Sequence, residues 1–115
     1  MNWSQFLPIE PCAKARPRVT RHGTYMPPKY QQWRKRFVAL IKPPAEPMTG
    51  RLRVTVNIYT ASGRMRPDLD NCFGAVADAL QDARVIANDR DIEALWCGIH
   101  ASKNSGISVA VEVTR

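Results

Sequence analysis

Little in this chain could hold a fold together apart from packing. Its three cysteines, Cys12, Cys72 and Cys97, are odd in number and lack C-x-x-C spacing. That excludes a disulfide framework and a structural zinc, and leaves reduced, mostly buried thiols. No apolar run approaches the roughly 20 residues of a membrane span, and no signal-peptide core follows Met1, so a cytoplasmic protein is expected. Acids are scarce: 10 Asp and Glu face 17 Lys and Arg, a formal charge of +7. Such a field attracts polyanions, which makes nucleic acid the leading partner class. Catalytic signatures are missing too, with no Gly-rich phosphate loop, no Ser-His-Asp arrangement and no Cys with a partner His. His22 and His100 stand alone and receive no catalytic role. Metal-assisted hydrolysis is the one chemistry left with support.

What is present suffices for a single domain over residues 1–115, because a chain that is 44% hydrophobic can bury a modest core. Residues 3–9 read as a short strand with Pro8 at its end. Residues 10–28, rich in Pro, Arg and Lys, read as a loop or irregular arm. Over 29–42, Tyr30, Trp33, Phe37, Leu40 and Ile41 recur at helical spacing until Pro43-Pro44. Residues 51–59 alternate Leu52, Val54, Val56 and Ile58 with polar positions, the period of a half-buried strand. A second helix is predicted over 71–82, with Phe73, Val76, Ala77 and Leu80 on one face. Residues 92–101 and 107–113 then predict two strands joined as a hairpin by residues 102–106. The order β-α-β-α-β-β implies an α+β domain, a small mixed sheet of about four strands with two helices on one face. Trp3, Trp33 and Trp96 fall within apolar patterns and are expected in the core or a subunit interface. For Phe6, Tyr25 and Tyr30 nothing in the spacing distinguishes contact with unstacked bases from packing.

The scarce acids are not spread evenly. In Arg66-Pro67-Asp68-Leu69-Asp70-Asn71 two carboxylates stand two positions apart at the head of the second helix. Helix capping accounts for one of them and first-turn tolerance for the other. A third acid alters the balance. The helix over 71–82 is roughly 18 Å long, and the seven residues 83–89, nearly extended, reach roughly 23 Å. Asp89 is thus just able to return to Asp68 and Asp70. Three hard oxygen donors with open positions suit Mg²⁺ or Mn²⁺ shared with phosphate. Asp78, Asp82 and Asp91 compete for places in that shell, Asp78 being left as a supporting residue. Around the acids, Lys14, Arg16 and Arg18, with Arg21 and Lys29 nearby, form a candidate phosphate clamp. Arg34, Lys35 and Arg36 read as a solvated helix face.

The Arg66-Pro67-Asp68-Leu69-Asp70-Asn71 run, with Asp78-Ala79-Leu80 and Val85-Ile86-Ala87-Asn88-Asp89 after it, resembles the RusA family of Holliday-junction resolvases. Upstream, Lys14-Ala15-Arg16-Pro17-Arg18 and Gly23-Thr24-Tyr25 are similar to the basic N-terminal loop of its phage and prophage members. The resemblance covers most of the chain. It implies a crossover junction endodeoxyribonuclease, a small homodimer that nicks four-way DNA symmetrically in recombination and repair. It further implies Asp68, Asp70 and Asp89 as catalytic Mg²⁺ ligands, with Lys14, Arg16, Arg18 and Arg66 on the DNA. Two positions depart from the pattern. Gly74 stands where some relatives carry a lysine, so that cation must come from elsewhere, Lys14 and Arg66 being the candidates. Asn88 stands where another aspartate is frequent, although its carbonyl oxygen can still serve a metal. The rival readings are a non-catalytic basic DNA-binding module, and a metal-dependent nuclease of flaps, forks or RNA.

Overall fold

Along residues 51–60, Leu52, Val54, Val56 and Ile58 are fully buried while Arg51 and Arg53 stay exposed, the alternation of a strand with one face on a core. The computed structural model describes residues 2–15, 17–63 and 69–114. Its strands are β1 (Asn2–Leu7), β2 (Arg18–Thr20), β3 (Gly23–Tyr25), β4 (Arg51–Thr60), β5 (Ile92–Ala101) and β6 (Gly106–Thr114). Four of them make one mixed sheet in the order β1-β6-β4-β5, with β4 parallel to β5 and the other pairings antiparallel. The expected α+β class and four-stranded mixed sheet are therefore present.

The expected hairpin between the last two strands is not. The Ser102 N–H donates to Thr60 O at 2.9 Å, which carries the connection across the end of β4, and β6 lands on the far side of it. Ile107, Val109 and Val111 are buried and give β6 an inner place, whereas Leu95 (57% exposed) and Trp96 (53% exposed) leave β5 at the edge. Trp96 is thus no core residue. A second difference lies in the arm, where β2 and β3 pair as a small ribbon. Gly23, at φ 120°, makes its turn. Thr20 Oγ1 donates to Gly23 O at 3.1 Å and accepts the His22 N–H at 3.2 Å. Every residue of the ribbon is exposed, so no apolar period announces it. The observed order is β-β-β-α-β-α-β-β.

Helix α1 (Pro28–Leu40) has proline at its first position, where the missing N–H leaves no bond unmade, and buries Tyr30, Trp33 and Phe37. Helix α2 (Leu69–Asp82) buries Cys72, Ala75 and Ala79 besides the four expected positions, because it packs against α1 as well as β5. Trp3 Nε1 donates to Lys42 O at 2.9 Å and Gln5 Nε2 to Leu40 O at 2.7 Å, so α1 ends beside the start of β1. Both helices consequently begin at the end of the sheet where β4 finishes. Among the described residues no helix is long and apolar enough to cross a membrane.

Candidate active site

The N-terminal ends of α1 and α2 carry partial positive charge, and they share one end of the molecule with the basic arm. Asp70 stands exposed in the first turn of α2, its Oδ1 accepting the Asn71 N–H at 2.9 Å. Asp68, Arg66 and Arg16 lie outside the described residues. The arm is docked onto this turn, because the Lys14 N–H donates to Asn71 O at 3.0 Å. The Lys14 stem then runs over Gly74, where an added Cβ would lie 3.1 Å from Lys14 Cδ. Its ammonium reaches Asp78 Oδ1 at 3.4 Å. The other oxygen, Oδ2, accepts the Tyr30 hydroxyl at 2.7 Å. Burial first, then the hydrogen bond and charge of Asp78, raise the Tyr30 phenol well above its ordinary range, so it stays a donor at neutral pH. Sequence reasoning missed Tyr30 in this role, since an aromatic at helical spacing gives no sign of what its hydroxyl meets.

Asp89 is placed elsewhere. Its N–H is held by Gln81 Oε1 at 2.9 Å, in the last turn of α2. Asp70 and Gln81 are about 16 Å apart along the helix axis. Residues 83–89 had the length to return but do not. The Ala83 N–H closes on Ala79 O at 2.9 Å, and the Val85 N–H on Leu80 O at 3.0 Å. Arg84 adopts φ 63° between them, a left-handed helix stop. Val85 and Ile86 are fully buried, and the Ala87 N–H bonds Met48 O at 3.0 Å. Burial of the Val85 and Ile86 side chains holds the segment at this end of the helix. Asn88 uses its carbonyl oxygen to cap the short 3₁₀ turn Asp89–Asp91, accepting the Arg90 N–H at 2.9 Å. Within one chain, then, Asp70 and Asp89 occupy opposite ends of α2. Among the described residues no cluster of three His, Cys, Asp or Glu stands ready for a metal.

Four of the described acids are ion-paired. Asp78, Asp82, Glu10 and Glu93 are matched with Lys14, Arg34, Arg36 and Arg51. Asp70 and Asp89 are exposed and, like Glu46, Asp91 and Glu112, in no ion pair among the described residues; their hard oxygens suit Mg²⁺ or Mn²⁺. Burial alone would raise Glu10, but its backbone hydrogen bond and the Arg36 and Lys29 charges bring it below its ordinary value. Arg34 is not merely solvated: it bonds Asp82 Oδ2 at 2.6 Å and lies 5.4 Å above the Tyr30 ring.

Two grooves of about 420 and 640 Å³ join through Pro11, Cys12 and Lys29 between the arm and α1. Arg18, Lys29, Lys35 and Arg36 line them, with Glu10 paired to Arg36, a predominantly basic track that suits a phosphodiester backbone. At the opposite margin, β5 offers an unpaired edge with Ala94, Leu95 and Trp96 exposed. Trp96 lies over Gly98 and stacks toward His100, their ring centroids 6.4 Å apart, and His100 Nε2 is 2.8 Å from Asn57 Oδ1. Long apolar edges of this kind invite another strand.

Searched against individually curated proteins, the chain gives no significant match. Residues 8–112 match the family model described as Endodeoxyribonuclease RusA, a span that takes in the docked arm, both helices and both separated aspartates. The chain belongs to the RusA endodeoxyribonuclease family.

Proposed function

We propose that the protein is a Mg²⁺-dependent endonuclease that resolves four-way DNA junctions as a homodimer, each active site being shared between two copies. One observation carries this reading: Asp70 and Asp89, in no ion pair among the described residues, stand at opposite ends of α2 in a chain whose β5 edge is open and apolar. Under a two-fold axis beside β5, the strand pairs antiparallel with its own mate. The start of one β5 then lies level with the end of the other, which is where the partner's α2 begins. Asp89 is thereby carried toward the partner's Asp68 and Asp70. The axis repeats the arrangement, so two equivalent sites face a substrate that is itself two-fold symmetric.

Bound by Asp68, Asp70 and the partner's Asp89, Mg²⁺ or Mn²⁺ would supply Lewis acidity toward a phosphoryl oxygen and acidify water. The aspartates hold that ion and orient water through their remaining oxygens. Lys14 and Arg18 bind flanking phosphates, joined by Lys29 and Lys35 along the groove and by Arg16 and Arg66 from the same segments of sequence. The hydrolysed bond lies on branched DNA, so the role is in recombination and repair.

A labelled four-way junction tests the proposal. Wild type should cut it in Mg²⁺, EDTA should stop the reaction, and Asp70→Asn should bind without cutting. Tight binding with no cleavage would make the protein a silent DNA-binding module. Faster cleavage of flaps, forks or RNA at the same salt concentration would reassign the substrate, salt being held fixed because phosphate contacts dominate affinity.

A further inference from the structure

Asp70, Gly74 and Asp78 follow one another at four-residue steps along one face of α2, and the Lys14 side chain lies along that face. We infer that Asp78 and Tyr30 are positioning residues for Lys14, holding its ammonium on α2 so that it can serve the phosphate cut at the Asp70 end; this rests on the nuclease reading above.

The two ends of the arrangement differ in rigidity. Asp78 is fixed by the core, because Tyr30 is 2% exposed, stacks on Trp33 with ring planes 10° apart, and donates to Oδ2. Lys14 is fixed only at its backbone, through the Asn71 carbonyl. Its side chain is 48% exposed and its ion pair is 3.4 Å long, so a phosphate competes with Asp78 on favourable terms. From a Cα anchored beside the first turn, other rotamers sweep the ammonium back from Asp78 toward Asp70. Gly74 is the residue crossed in that sweep, and it presents no side chain. Asp78 therefore keeps the half-exposed ammonium on the α2 face near its point of use, a preorganisation that favours the reaction over binding. Lys14 neither gives nor takes a proton in this role. As the water oxygen bonds to phosphorus the bond to the leaving sugar oxygen breaks, its electron pair staying on that oxygen; the water gives up a proton to solvent, the sugar oxygen takes one from solvent, and the ammonium offsets charge on the non-bridging oxygens.

Single-turnover cleavage and junction affinity, both at fixed salt, test this in wild type, Lys14→Ala, Asp78→Asn and the double variant. Asp78→Asn keeps an acceptor for Tyr30 but loses the ion pair. It should slow cleavage about tenfold while junction affinity changes less than about twofold. In the Lys14→Ala background the same substitution should have no further effect. Lys14→Arg should recover part of the rate and retain the dependence on Asp78. Equal losses from Asp78→Asn in both backgrounds, or an unaltered rate in Lys14→Ala, would overturn the inference while leaving the nuclease reading intact. A wild-type protein that cuts no branched DNA would sink that reading, and this inference with it.

Discussion

Mixing two dead variants decides whether the acids meet across a dimer. Asp70 and Gln81 are about 16 Å apart along α2, and Gln81 holds the Asp89 amide, so no single ion with oxygen ligands at about 2.1 Å bridges Asp70 and Asp89 of one chain. Asp70→Asn and Asp89→Asn homodimers should each be inactive. In a heterodimer of the two, a shared-site arrangement gathers both substitutions at one site and leaves the other wholly wild type. With random exchange of subunits about half the dimers are mixed and each has one intact site, so cleavage should return to about a quarter of the wild-type level. The product carries further information. One working site per dimer gives single nicks, so a supercoiled plasmid with an extruded cruciform should be relaxed and not linearised. Subunits are unfolded together, refolded and assayed on both substrates. If each site is instead built within one chain, every site in the mixture lacks an acid and activity stays at background, which would refute the argument from the fold.

Other outcomes follow from the same geometry. Leu95→Lys places a charge on the exposed β5 edge, and should leave circular dichroism unchanged, lower the sedimenting mass to the 13.0 kDa monomer, and abolish cleavage. Gly74→Ala should stabilise α2 by about 0.5–1 kcal/mol, the usual gain for alanine inside a helix, yet slow cleavage, because the new Cβ meets Lys14 Cδ at 3.1 Å; a raised melting temperature with an unaltered rate would contradict the role given to Lys14. Burial, aided by neighbouring cysteines, pushes the Cys72 thiol from 9.0 up to about 12. Its folded-state value lies above the unfolded one, so this stabilisation is complete below pH 9 and drains away between pH 9 and about 12. Urea midpoints should fall across that window, and less steeply in Cys72→Ala.

The parts of the fold that a local pattern fixes were legible: the alternation of Leu52, Val54, Val56 and Ile58 marked β4, and residues 92–101 are β5 to the residue. Which strand lies beside which was not, because pairing depends on competition among strands. β6 displaced β5 from a hairpin since its buried Ile107, Val109 and Val111 gain more from an inner place than Leu95 and Trp96 would. The arm hid its ribbon because Arg18–Thr20 and Gly23–Tyr25 are exposed throughout, leaving hydrogen bonds to carry what no apolar pattern records.

At the site, sequence reasoning named the acids and expected a route between them that the single chain does not take. Chain length permitted Asp89 to return beside Asp70; the composition of the returning segment forbade it. Val85 and Ile86 are fully buried, and freeing them to extend the segment would expose two aliphatic side chains at about 1.5–3 kcal/mol each. Carboxylates gathered at one point would not repay that, because without a cation they repel one another. Within one chain Asp70 and Asp89 therefore stay apart, and the proposed shared site needs a second copy at the β5 edge. On the proposed shared-site reading dimerisation and metal binding form one linked equilibrium, so Mg²⁺ should tighten the dimer, and that tightening should vanish in Asp89→Asn. Sedimentation equilibrium with and without Mg²⁺ measures the linkage directly, and an association constant indifferent to the ion would break it.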